Sequence, residues 1–238
     1  MDKSEGGAHV TRRSTVPRAA ASVGGALLAA GTQALAALRP ARKPLHPDGD
    51  VRDGTLLRRG ADEKTGVAWL DEPGEDDVAV RLSRAIGLPR RLPDIHGLAV
   101  RVQGQAGGDL LFATTGRGRL SRFTLTASRH PQGWPLTTLL PYETDSGAVL
   151  LSAVGVGTET YELSWARPAG RWHAFATLRL EAPRGGDAAI SFDPVRHQLP
   201  GLRQYPAVER LREPAYQRAR RSRAPETDSS LQKADDVH

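Results

Sequence analysis

From Val51 onward the chain alternates short apolar, β-prone runs with turn residues, the pattern of an antiparallel barrel or sandwich. Seven segments fit it: 51–58, 77–84, 95–102, 108–115, 157–166, 172–181 and 187–192. Within 77–83 the two-residue period of a strand sends Val78, Val80 and Leu82 one way and Ala79, Arg81 and Ser83 the other. Arg81 therefore faces away from the apolar row. Aimed into a small barrel it would need a buried anion or hydrogen-bonding partner; aimed outward it needs none. Residues 116–147, broken by Gly116, Gly118, Pro131, Gly133, Pro135, Pro141 and Gly147, read as one long excursion with a short helix at 136–140. A C-terminal helix is expected over 206–221, followed by a polar tail.

Ahead of the strands, residues 1–16 are polar and the expectation is disorder. Ala19 to Leu38 is mostly apolar but diluted by Ser22, Gly24, Gly25, Gly31, Thr32 and Gln33. Arg12, Arg13 and Arg18 before that run, with Ala34-Leu35-Ala36 as a cleavage site towards its end, fit a secretory signal. The alternative is an Ala-rich helix lying on the domain, on a partner or on a membrane surface. Small residues supply too little transfer energy to favour a full membrane span. The expected location is the cytoplasm, with export through 17–38 as the alternative. Pro40, Pro44 and Pro47 then stiffen a linker. The expected organisation is 1–47 as tail, helix and linker, 48–222 as one barrel domain, and 223–238 as a polar tail.

Composition narrows the chemistry. The 33 Lys and Arg against 27 Asp and Glu give a formal charge of +6, which favours anionic partners without choosing among them. There is no cysteine, so disulfides, thiolate metal sites and cysteine nucleophiles are excluded. Met1 is the sole methionine, so any bound iron would take its ligand from histidine, tyrosine or a carboxylate.

The run VRLSR at 80–84, PDIHGLAVRV at 93–102 and GDLLF at 108–112 resembles the core barrel of the haem catalases and their shorter relatives. Further on, Phe192-Asp193-Pro194, Pro200-Gly201-Leu202, Pro206 and Arg212-Glu213-Pro214-Ala215-Tyr216 resemble the segment of that family that ends in Arg-x-x-x-Tyr. The likeness covers roughly 50–220 and implies a catalase-type antiparallel barrel; with the N-terminal Ala-rich helix and the C-terminal helix read from the sequence, the expected class is α+β. It implies haem as cofactor, Tyr216 as iron ligand and Arg212 as the arginine beside it. A free phenol titrates near about 10, so a phenolate ligand is helped by the metal charge and by a neighbouring guanidinium. Arg81 matches a propionate-binding arginine, and His96 stands where the family has a second one. Leu57 falls on the distal histidine and Ala113 at or beside the distal asparagine. Leucine relays no proton, and a positioned general base is worth about 10²- to 10⁴-fold. The expectation is therefore a barrel that binds haem or a small apolar ligand without efficient catalase activity, with weak peroxidase chemistry at most.

The remaining constellations are weighed as structural. Residues 71–77 are acidic but span a Pro-Gly turn. Gly116-Arg117-Gly118-Arg119 lacks the strand-to-helix setting of a phosphate loop. Arg218, Arg220, Arg221 and Arg223 form a basic helix end, and no specific nucleic-acid partner is expected. Trp69, Trp134, Trp165 and Trp172 read as core or rim aromatics. His46, His130, His173 and His197 show no ligand spacing, and Ser83 has no triad partners. Two rivals stay open: a metal-dependent phosphodiesterase, and a non-catalytic barrel that docks on a partner or membrane through residues 17–38.

Overall fold

The apolar alternations become strands of one antiparallel sheet that curls until it meets itself. The computed structural model describes residues 50–86, 89, 91–183, 190–206, 208 and 210. Its strands are β1 Asp50–Arg58, β2 Gly74–Arg84, β3 His96–Val102, β4 Gly108–Thr114, β5 Pro135–Thr137, β6 Tyr142–Thr144, β7 Gly147–Gly155, β8 Thr160–Ala166 and β9 His173–Pro183. A four-residue helix, α1 Ala68–Asp71, and a 3-10 turn at Ser121–Phe123 complete the regular elements. The sheet order is β5-β4-β3-β2-β1-β9-β8-β7-β6, and β5 also pairs with β7. That extra pairing closes an eight-stranded ring and leaves β6 outside it, on the edge of β7. Closure removes the unpaired edges that an open sheet would expose.

Where β1 meets β9 the register shifts between Arg52 and Gly54. A Cβ on Gly54 would sit 2.4 Å from the Arg179 carbonyl oxygen, so the two backbones bend this closely only because residue 54 has no side chain.

The interior is filled. Leu56, Val78, Val80, Leu98, Val100, Leu110, Phe112, Leu151, Leu163, Trp165, Phe175 and Leu178 belong to one continuous buried cluster. Eight strands enclose just enough space for side chains. Trp69 packs its ring edge-on to Phe175 with centroids 5.5 Å apart, bringing the 59–73 connection onto this core. The connection is held by Asp71, whose carboxylate accepts from the Thr65 amide at 2.8 Å, the Thr65 hydroxyl at 2.8 Å and the Gly66 amide at 2.7 Å.

After β9 the chain returns as an irregular segment. Leu199 and Leu202 enter the core, and Arg203 forms an antiparallel bridge with Glu143. The segment is fastened by Asp109, a fully buried carboxylate on the outer face of β4. Asp109 takes two hydrogen bonds from Arg101 at 2.7 and 2.6 Å, one from the Asp193 amide at 2.6 Å, and faces His197 Nδ1 at 3.4 Å. Gly108 admits the segment: a Cβ there would lie 2.6 Å from the Leu199 nitrogen.

Six of the seven expected strands are present, and the differences are local. Residues 190–192 belong to no strand. The expected helix at 136–140 is replaced by β5, because Leu136 and Thr137 pair with Ala153 and Ser152. The excursion 116–147 also holds β6, and the strand after it, β7, is wholly additional to the seven. The architecture is thus an antiparallel barrel with almost no helix among the described residues. The expected N-terminal helix at 17–38 lies outside them, and of the C-terminal one Pro206, Val208 and Arg210 are described, all helical. No helix among the described residues is long and apolar enough to cross a membrane.

Replacing Asp109 strips a buried guanidinium partner and the anchor of the C-terminal segment together. Asp109→Ala is expected to cost about 3 kcal/mol, the low end for breaking a buried pair because Arg101 is part-exposed. Urea unfolding measures the loss, and limited proteolysis should show cleavage within 190–204 appearing first. Unchanged stability together with an uncut segment would remove Asp109 from this role.

Candidate functional site

A filled barrel can only host a ligand on its outer wall or at its rims. Strand parity decides which residues stand on that wall. Val78, Val80 and Leu82 face the core from β2, so Arg81 and Ser83 face out. The register sets Arg81 opposite Ala99 and Ser83 opposite Gly97, and on the next strand Ala99 is opposite Leu111 and Gly97 opposite Ala113. The outer face of β2–β3 therefore carries small residues, Ser83, Gly97 and Ala99, with Arg81 on one side and Leu111 of β4 on the other. On the far side Ala113 packs with Leu139, Ile95 and Leu125 in a small apolar cluster of its own.

Leu57 shares this outward parity and is half exposed, but it pairs with Glu75, whereas Arg81 pairs with Val51. Six residues of strand separate the two levels, roughly 20 Å at about 3.3 Å per residue. Leu57 and Arg81 are on one face yet too far apart to border one small ligand.

His96 goes the other way. It has the parity of Leu98, Val100 and Val102, so it points to the inner side of the wall, opposite to Arg81. Its amide donates to the Thr114 hydroxyl at 3.1 Å, and its ring Nε2, 3.0 Å from the Ser128 carbonyl oxygen, carries the proton it donates there. Arg84, directly opposite on β2, lies 3.4 Å from the buried carboxylate of Asp94. Burial pushes the His96 pKa below the usual histidine value; the Ser128 hydrogen bond and Asp94 pull it up, while Arg84 and His130 push it further down. The structure thus does not bring His96 and Arg81 together. Arg212 and Tyr216 lie outside the described residues.

The constellations weighed as structural resolve into specific contacts. In the acidic run, Asp71 holds its loop and Asp76 accepts from Arg58 Nε at 2.7 Å and Trp69 Nε1 at 3.2 Å. Among the described residues no three acidic or histidine side chains gather into a cation-holding group. Arg117 lies 4.8 Å above the Trp134 ring and donates to the Gly133 carbonyl, while the Gly118 amide is taken by the Ser121 hydroxyl. His173 stacks on Trp165 at 4.7 Å and meets Glu63 at 3.2 Å.

One residue carries no signal in the sequence at all. Arg122, in the 3-10 turn, is 4% exposed, donates to the Gly170 carbonyl at 3.0 Å and lies 4.5 Å from the Trp172 ring centroid. Its Nε is buried without a hydrogen-bond partner. Both contacts come from about fifty residues further along the chain, a distance no local pattern spans.

The lowered His96 pKa has a stability consequence. The unfolded chain binds this proton near the ordinary value of about 6.5, and the folded chain only below it. The contribution of His96 is therefore complete above that pH and declines as pH falls through the window beneath it. Unfolding midpoints taken from pH 7.5 to 5 should drop less steeply for His96→Gln than for the parent protein. Parallel curves would mean that His96 does not titrate differently on folding.

No protein-family model matches this chain and no curated protein matches it, so its functional reading rests on its own residues and their geometry.

Proposed function

We propose that the chain is a catalase-related barrel that carries haem, or a small flat apolar ligand, against the outer face of β2–β4 and lacks efficient catalase activity. The observation that carries this reading is the juxtaposition on that face. Arg81, the residue the resemblance gives to a propionate, stands at the border of a floor made of Ser83, Gly97 and Ala99. Small side chains let a planar group approach the sheet closely, and a guanidinium at the border matches a carboxylate in geometry and charge.

Bound haem would supply redox-active iron. The residues that would hold it are Tyr216 and Arg212 on the iron side and Arg81 at the propionate edge. His96, on the inner side of the wall with Ser128 as its partner, is not part of this set. The floor offers a hydroxyl and a guanidinium but neither an imidazole nor a carboxylate, and Leu57 is equally inert. Moving a proton between peroxide oxygens without a positioned base forfeits about 10²- to 10⁴-fold in rate.

Titration of the full chain with hemin tests the reading. A saturable Soret band at one haem per chain is expected, lost in Tyr216→Phe and weakened about ten-fold in Arg81→Gln. A band that persists unchanged in Tyr216→Phe would overturn the ligand assignment, and the absence of any saturable band would overturn haem binding.

A further inference from the structure

The strongest electrostatic anomaly among the described residues lies away from that face, at the rim where the chain leaves β1 and enters β9. A cleft of ≈ 430 Å³ is lined there by Arg59, Gly60, Asp62, Arg171, Trp172 and His173, with Ala174. Beneath Trp172 sits the buried Arg122. A guanidinium stays charged in a protein, and a buried charge is stable only when paired and hydrogen-bonded. Arg122 has one carbonyl, one ring face and an orphaned Nε. No carboxylate lies within salt-bridge distance of it among the described residues. Burial pushes its pKa down, and the like charge of Arg119 pushes it the same way.

The lining adds two further guanidiniums and a histidine beside one carboxylate. Arg171 makes no ion pair among the described residues. Arg59 is exposed and meets Glu162 at a loose 3.5 Å. Glu63 is engaged by His173. Asp62 is the single carboxylate among the lining residues.

We propose that this cleft binds a small phosphate-bearing anion, with Arg171 and Arg59 as its direct partners and Arg122 as the buried charge that the anion compensates. Guanidinium forks match tetrahedral oxyanions, and Trp172 at the rim gives the organic remainder an aromatic surface. The cleft uses none of Arg81, Arg212 or Tyr216, so its fate is independent of the haem reading.

The test is titration of the full chain with inorganic phosphate at constant ionic strength, followed by NMR of the arginine Nε–H resonances. A saturable shift of the Arg122 Nε–H signal is expected, with affinity falling about ten-fold in Arg171→Gln and in Arg59→Gln. Arg117→Gln, whose parent guanidinium lies on Trp134, should bind as the unmodified chain does. The proposal is overturned by the absence of a saturable shift, by unchanged affinity in Arg171→Gln, or by an equal loss in Arg117→Gln, which would mark general charge attraction. Because Arg122→Gln removes an interior contact and could unfold the chain, the two rim variants are the deciding ones.

Discussion

The closure of the barrel hangs on three residues. Pro135–Thr137 pair with β4 on one side and with β7 on the other, and through them the two halves of the sheet become a ring. So short a strand cannot hold its place by ladder bonds alone, and threonine hydroxyls supplement it. Thr137 donates its hydroxyl proton to the Arg122 carbonyl at 2.8 Å and accepts from the Leu139 amide at 3.2 Å. Thr138 donates its amide to the Leu151 carbonyl at 3.0 Å, and its hydroxyl accepts in return from the Leu151 amide at 3.3 Å. The chain then passes through Leu139 at φ 61, the only non-glycine with positive φ among the described residues. That conformation costs roughly 1–2 kcal/mol for an L-residue. Burial of the Leu139 side chain against Ala113, Ile95 and Leu125 offsets it.

How much of this was legible in the sequence follows from burial on the two faces of each strand. β3 alternates over its whole length because one face meets the core and the other is more open, and the first residues of β8 do the same, so a two-residue period finds them. β7 is buried on both faces from Val149 to Ala153, which leaves its sequence, apolar but for Ser152, without a two-residue period. β5 and β6 are three residues each, below the length at which any period can be read. The same reasoning covers the candidate site. The period that turns Arg81 outward also turns His96 inward, because His96 is in step with Leu98 and Val100. A reading by family position sets that parity aside, and the register with Arg84 restores it. Arg122 was beyond reach because its partners, Gly170 and Trp172, become neighbours only when the 116–134 excursion folds across to the β8–β9 turn.

Two buried ionic groups show how differently the molecule treats charge. Asp109 is saturated: a guanidinium fork and a backbone amide use its oxygens, and the result is mechanical, a clasp between sheet and C-terminal segment. The fork also raises the Arg101 pKa, its hydrogen bonds to Asp109 outweighing the opposing effect of burial. Arg122 is the reverse case, a cation whose partners are a carbonyl and a ring. A closed network rigidifies; an open one leaves a potential that reaches to the surface.

The neighbour of β1 in the ring is β9, the last strand of the barrel. On a ribosome, β1 and β2 emerge early and can pair at once, but the second side of β1 stays unmatched until His173–Pro183 has cleared the exit tunnel. During that interval Leu56 and the core rows beside it have no lid, and an edge is open to neighbouring nascent chains. Closing the ring therefore waits on a pairing between distant parts of the chain, the kind of long-range contact that topology makes slow to form.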